Sequence, residues 1–116
     1  MFIIHQAAIG VQIMQRWTVY DRAGNEIYLT EERWAHIVTR HDELTGRLDD
    51  LLATLRYGRR RQEALDPQAY RYYQSYDDLR YGFNHIISMV VFHYAASGAP
   101  NNFVVTAWGA YIHPKG

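Results

Sequence analysis

Two histidines, His36 and His41, stand in a segment with helical signals and offer proton transfer near neutral pH. His36 follows Arg33 by three residues and precedes Arg40 by four, so on a helix all three lie on the polar side. It is either an acid or base whose pKa the cations lower, or a solvated surface histidine. His41 completes the stripe Trp34, Ile37, Val38, His41, at i, i+3, i+4 and i+7. A histidine there either points toward a cleft or is a buried ring bonded to a backbone carbonyl at the helix end.

Arginines supply the second kind of chemistry. Arg59, Arg60 and Arg61 form the one strong cation run, with Arg56 a turn earlier and Tyr57 beside them. Such a group binds a phosphate backbone and stacks a base. The plainer reading is a solvated loop offset by Glu63 and Asp66. In Tyr70-Arg71-Tyr72-Tyr73, strand alternation puts Arg71 and Tyr73 on one face. An arginine in so apolar a strand needs a partner, either an internal carboxylate or a phosphate ligand. The tyrosines either stack unpaired bases or pack across strands. Thr106, between Val105 and Ala107, offers a hydroxyl to a phosphate oxygen or serves as a strand former. His85 and His93, eight residues apart in one strand, are separated by roughly 26 Å when extended, too far to share a metal. With no His-x-x-x-His pair, phosphate loop or Gly-x-Ser-x-Gly elbow, neither a metal nor a cofactor is expected.

The elements that must position these groups follow from periodicity. Trp17 to Asp21 and Glu26 to Leu29 flank Asp21-Arg22-Ala23-Gly24-Asn25, a turn composition that predicts a β-hairpin. Thr30 is a candidate N-cap, and Glu31 and Glu32 suit the first turn of a helix over 31–40. Leu44, Leu48, Leu51, Leu52 and Leu55 predict a second helix over 43–56, with Gly46 inside it at a cost of about 1 kcal/mol. Tyr57-Gly58 ends it. Strands are expected over 69–76, 85–95 and 102–112, with turns at Asp77-Asp78 and 97–101, and the run Ile86 to Phe92 reads as a central strand.

At 116 residues the chain suits one α+β domain over 17–116, preceded by an apolar segment over 1–16 of uncertain role. Its 48% hydrophobic content is enough for a core. The absence of cysteine excludes disulfides and thiolate metal sites and fits a reducing cytoplasm. Met1 to Met14 lacks a basic n-region and a cleavage site, and no stretch reaches the roughly 18 apolar residues of a membrane span. Twelve cations balance twelve anions, which disfavours a general nucleic-acid coating protein. Eleven of those cations are arginine, through a preference for the planar fork or through compositional bias.

The string from Asp21 to His41, with its block Trp-Ala-His-Ile-Val-Thr-Arg-His, resembles the opening of a phage-associated nuclease family. That family is grouped with barnase, EndoU, the tRNA-cutting colicins and the RelE toxins. Ala69-Tyr-Arg-Tyr-Tyr73 and Phe103-Val-Val-Thr-Ala107 are similar to its strand motifs, so the likeness spans about Trp17 to Trp108. Two positions depart from the pattern. Asp42 stands where a proline often follows the second histidine, and Tyr57-Gly58-Arg59 where a proline commonly follows the second helix.

The resemblance implies a barnase/RelE-like α+β fold, with an N-terminal hairpin, two helices and then a three- to four-stranded antiparallel sheet. It also implies metal-independent RNA cleavage by attack of the ribose 2′-hydroxyl on phosphate. It points to His36 or His41, with Arg71 and Thr106, as the catalytic group; the residues themselves add Arg56, Tyr57, Arg59, Arg60, Arg61 and Tyr73 as the RNA-binding set. RNA and a neutralising antitoxin-like protein are the implied partners. The alternative is an inactive nuclease fold serving as a binding or assembly module, since tyrosine and arginine dominate protein interfaces. In that reading Met1 to Met14 docks on another copy to make a homo-oligomer.

Overall fold

The computed structural model describes residues 15–114, so the docking role expected of the apolar N-terminal segment lies outside the described residues. The hairpin forms as its turn composition requires. Strands β1 (Arg16–Tyr20) and β2 (Glu26–Thr30) pair antiparallel. At the turn between them Gly24 takes φ 85°. Asp21 organises that turn: its carboxylate accepts the Ala23 and Asn25 backbone N–H groups at 2.9 and 2.8 Å.

Helix α1 (Glu31–Arg40) starts where expected. Thr30 Oγ1 accepts the Arg33 N–H at 3.1 Å, and Glu31 and Glu32 occupy the first turn, favoured by the helix dipole. Ile37 is buried, with Trp34 packed beside the core.

The second helix differs from the expectation. Asp42–Leu44 form a short 3₁₀ turn, and α2 runs only over Leu48–Tyr57. Between them Gly46 takes φ 78°, a left-handed conformation no helix interior contains. Its glycine is the break, not a tolerated interior residue. The leucine stripe still forms a continuous apolar patch, because Leu44, Leu51 and Leu55 are all buried in the same cluster.

Four more strands follow: β3 (Arg59–Gln62), β4 (Ala69–Ser75), β5 (His85–Tyr94) and β6 (Pro100–Ala110). The sheet is therefore six-stranded, in the order β1-β2-β6-β5-β4-β3, where a separate hairpin and a three- to four-stranded sheet were expected. The hairpin joins it by a parallel pairing of β2 with β6, which makes the sheet mixed. The class remains α+β. The arginine run, read either as a phosphate-binding group or as a solvated loop, is the edge strand β3. Its charges suit an edge, where they discourage pairing with another chain.

Both helices pack on one face, against Val19, Ile27, Leu29, Tyr72, Ile86, Val90, Val104 and Ala107. That side is curled: Tyr72 on β4 donates its hydroxyl to Asp21 Oδ2 at 2.5 Å, although β5, β6 and β2 lie between β4 and the hairpin turn in the sheet order. Burial, then the Asp21 carboxylate, push the Tyr72 phenol up. Burial acts to raise Asp21, but the hydrogen bonds from Tyr72 and Asn25 outweigh it and hold the carboxyl below its usual range. Among the described residues no helix is long and apolar enough to cross a membrane.

Candidate functional site

Alternation along β4, β5 and β6 sends the other set of side chains to the face that neither helix covers. Register fixes their neighbours. Arg61 pairs with Arg71, Arg71 with Met89, and Met89 with Thr106, so these four stand in one row across β3, β4, β5 and β6. The adjacent row is Arg59, Tyr73, Ile87 and Trp108. At ordinary strand spacing the Cα atoms of Arg71 and Thr106 are about 10 Å apart. A register shift after Met89 leaves Val105 as the extra residue beside Thr106.

Arg71 has the internal partner that the sequence required: its guanidinium pairs with Glu63 and lies 5.6 Å from the Trp108 ring. That ion pair is well exposed, with 44% of the Arg71 side chain open to solvent, and is worth about 0–1 kcal/mol. Glu63 therefore does not bind Arg71 strongly enough to keep it from an incoming phosphate. Among the described residues no carboxylate lies within ion-pair distance of Arg22, Arg56, Arg59 or Arg61. Arg60 alternates to the helix side, 3.8 Å from Asp21 and stacked 4.4 Å over the Tyr70 ring. It belongs to the curled side, apart from its two neighbours.

The second row, through Arg59 and Tyr73, runs into a groove. An open depression of about 350 Å³ at the start of β3 is lined by Arg22, Tyr57, Arg59, Tyr73, Ser75 and His85. Gly58 forms its floor because nothing larger fits. A Cβ there would stand 2.4 Å from the Thr54 carbonyl oxygen and 2.7 Å from that of Tyr73. The chain thus leaves α2 and enters β3 hard against β4, which sets Tyr57 and Arg59 beside Tyr73. Tyr57 is 64% exposed, an open ring for stacking.

His36 and His41 are not brought to this face. His36 is exposed on α1. His41 caps the same helix, its backbone N–H bonded to the Ile37 carbonyl at 2.7 Å. Its Nδ1 lies 3.7 Å from Glu43 Oε2, an oxygen that also accepts the Gly109 N–H at 2.8 Å. The His41 ring is thus tied to a carboxylate that fastens the corner after α1 to β6 from the helix side. The sheet separates both histidines from Arg71 and Thr106.

Sequence reasoning missed Arg22 and His85. His85 lies on the uncovered face beside Ser75 and Ala110, half-buried, and burial holds its imidazole below the ordinary histidine range. Its alternation with Ile86 was available as a signal. Arg22 was hidden in turn composition. Among the described residues no group of three or more His, Cys, Asp or Glu is placed to hold a metal ion. No protein-family model, curated protein or solved structure matches this chain, so the site stands on its own residues.

Proposed function

We propose that the uncovered sheet face binds single-stranded RNA and cleaves it by metal-independent attack of a 2′-hydroxyl on phosphate. The observation that carries this reading is the pair of adjoining rows. Arg61, Arg71 and Thr106 form one, and Arg59, Tyr73 and Trp108 the other, all on one side of the sheet. Guanidiniums at this spacing track a phosphate backbone, while aromatic rings between them receive unstacked bases. Zero net charge is compatible because the cations are gathered: Arg56, Arg59 and Arg61 follow one another at the end of α2 and along the edge strand. The resemblance of Asp21 to His41 to a nuclease opening supports the choice of reaction.

Transfer of a proton from the 2′-hydroxyl and electrostatic support of the charged phosphorane are what such cleavage needs. Arg59 serves the second requirement, and Arg71 in the adjoining row holds a neighbouring phosphate. The test is incubation of the purified chain with labelled RNA in EDTA. Fragments ending in 2′,3′-cyclic phosphate, lost in Arg71→Ala, support the reading. Intact RNA after exposure to folded protein, across several sequences, overturns it.

One observation favours a second reading. His36 and His41 lie across the sheet from the arginine rows, so a chain relying on them for catalysis is inactive and the face acts in binding or assembly. In that case RNA is retained uncut, or the same face takes a neutralising protein or another copy of the chain.

A further inference from the structure

Asn84 ends the loop before β5, and backbone groups of Ile112 hold both ends of its side-chain amide. Its Oδ1 accepts the Ile112 N–H at 2.8 Å, and its Nδ2 donates to the Ile112 carbonyl at 2.9 Å. The Asn84 N–H is itself bonded to the Ala110 carbonyl at 2.9 Å. A backbone N–H only donates and a carbonyl only accepts, so the orientation of this amide is fixed. Asn84 Oδ1 also lies 2.8 Å from His85 Nδ1. An amide oxygen only accepts, so the proton at that contact belongs to the ring. In the neutral ring that puts the hydrogen on Nδ1, and among the described residues no group bonds Nε2.

The ring lines the groove with Arg22, Arg59, Tyr57 and Tyr73. A histidine with one nitrogen tied to an oriented acceptor and the other bare is the arrangement of a general base. We propose that His85 is the proton acceptor of the RNA cleavage described above, on which this inference rests, and that Asn84 is its positioning residue. In the step, the ribose 2′-oxygen bonds to phosphorus and its proton passes to His85 Nε2. The bond from phosphorus to the 5′-oxygen breaks, and that oxygen takes a proton from solvent. Arg59 and Arg22 hold the phosphate oxygens, and the tyrosine rings hold the bases on either side.

Arg22, Arg59, Tyr57 and Tyr73 are the titratable groups that line the groove with His85. Ser75 and Ala110, its partners across the sheet, carry no charge. Burial opposes a positive imidazole, so the ring stays neutral to a pH below the usual histidine value near 6.5. Cleavage accordingly falls on acidification below that point.

The experiment has three arms. First, cleavage in EDTA is compared for wild type, His85→Gln and Asn84→Ala, with binding of an uncleavable 2′-deoxy-substituted oligonucleotide measured alongside. His85→Gln is expected to lose about 10²–10⁴-fold in cleavage rate while keeping its binding. Asn84→Ala is expected to lose less and to alter the acid limb of the pH–rate profile, which a purely structural defect does not move. Second, long-range ¹H–¹⁵N NMR of the imidazoles is expected to show His85 with hydrogen on Nδ1 in wild type and a tautomer mixture in Asn84→Ala.

Third, titration with uridine 3′-monophosphate is expected to shift the His85 ring resonances. Cleavage by His85→Gln at the wild-type rate, or a ring protonated at Nε2, overturns the assignment to His85 and leaves the RNase reading intact. A folded wild type that cleaves nothing overturns both, and the nucleotide titration then decides whether the groove still takes phosphate.

Discussion

His41 and His85 are each held by a neighbouring oxygen, and the difference between the two holds separates the molecule into a fastened side and an open side. His41 faces the Glu43 carboxylate, which spends its other contact on the Gly109 N–H of β6. The imidazole there is part of a joint between a helix corner and the sheet. His85 faces the Asn84 amide, which Ile112 backbone groups lock, and the ring stands at the wall of a groove. A carboxylate beside a histidine draws it into an ion pair when protonated, whereas an amide sets the tautomer and adds no charge. The lesson is that the partner's chemistry, more than the histidine's place in a motif, decides whether an imidazole is available for proton transfer.

Two glycines, Gly58 in the groove and Gly109 at the Glu43 joint, sharpen the contrast most. Gly58→Ala places a Cβ against the backbone oxygens of Thr54 in α2 and Tyr73 in β4, which cannot move without disturbing the end of the helix or the β3–β4 pairing. We expect a loss of about 3 kcal/mol, the upper part of the overpacking range, read from urea unfolding. Gly109→Ala instead meets the Phe83 ring at 2.6 Å and Glu43 Cγ at 2.9 Å, which are side-chain atoms and not backbone. Its loss is expected to be smaller. Equal losses would break the claim that the groove floor is the more rigid of the two.

Next in size is Tyr72→Phe, which removes the donor holding the curled side shut. A hydrogen bond to a buried charged carboxylate is worth about 1.5–3 kcal/mol, and that is the expected loss near neutral pH. The sign of its pH dependence follows from Asp21. The folded-state pKa lies below the unfolded value near 3.9, so the stabilisation is complete above that pH and is lost as pH falls through the folded value. Unfolding measured across the acid range should show a shallower acid loss in Tyr72→Phe than in wild type.

Smaller still is the effect of Glu43→Gln. The amide oxygen can still accept the Gly109 N–H while the charge facing His41 is removed. Stability should fall by under about 1 kcal/mol, as for a partly exposed ion pair, and RNA cleavage should not change. A Glu43→Gln variant that lost cleavage would return His41 to the centre of the mechanism. The finest effect is expected from Arg59→Ala: RNA affinity falls, and the slope of log affinity against log salt decreases by about 0.7 for the one phosphate contact removed.

Local elements were legible in the residues. The hairpin turn, the Thr30 cap and α1 follow from side chains within a few positions of one another, and the structure keeps them. Gly46 was misplaced because helix propensity prices a glycine without knowing that the chain must turn there. The parallel β2–β6 pairing joins Ile27 to Asn102, and no local periodicity reports a contact of that separation. The same limit hid His85. Its tautomer depends on Ile112, which lies 28 residues beyond Asn84 in sequence, so nothing around His85 marks it as oriented. Arg71 and Tyr73 were found together because alternation within one strand is local. Arg61 as edge strand was not, because a run of charges has the composition of a loop until its hydrogen-bond partner on β4 is known.

The most direct test of RNA binding on the open side is a backbone and arginine side-chain NMR titration with an uncleavable oligoribonucleotide analogue. The expected result is shifts at Arg59, Arg71, Tyr73, His85 and Trp108 with no change along Glu31–Arg40. Shifts concentrated at His36 and His41, with the arginine rows silent, would contradict it.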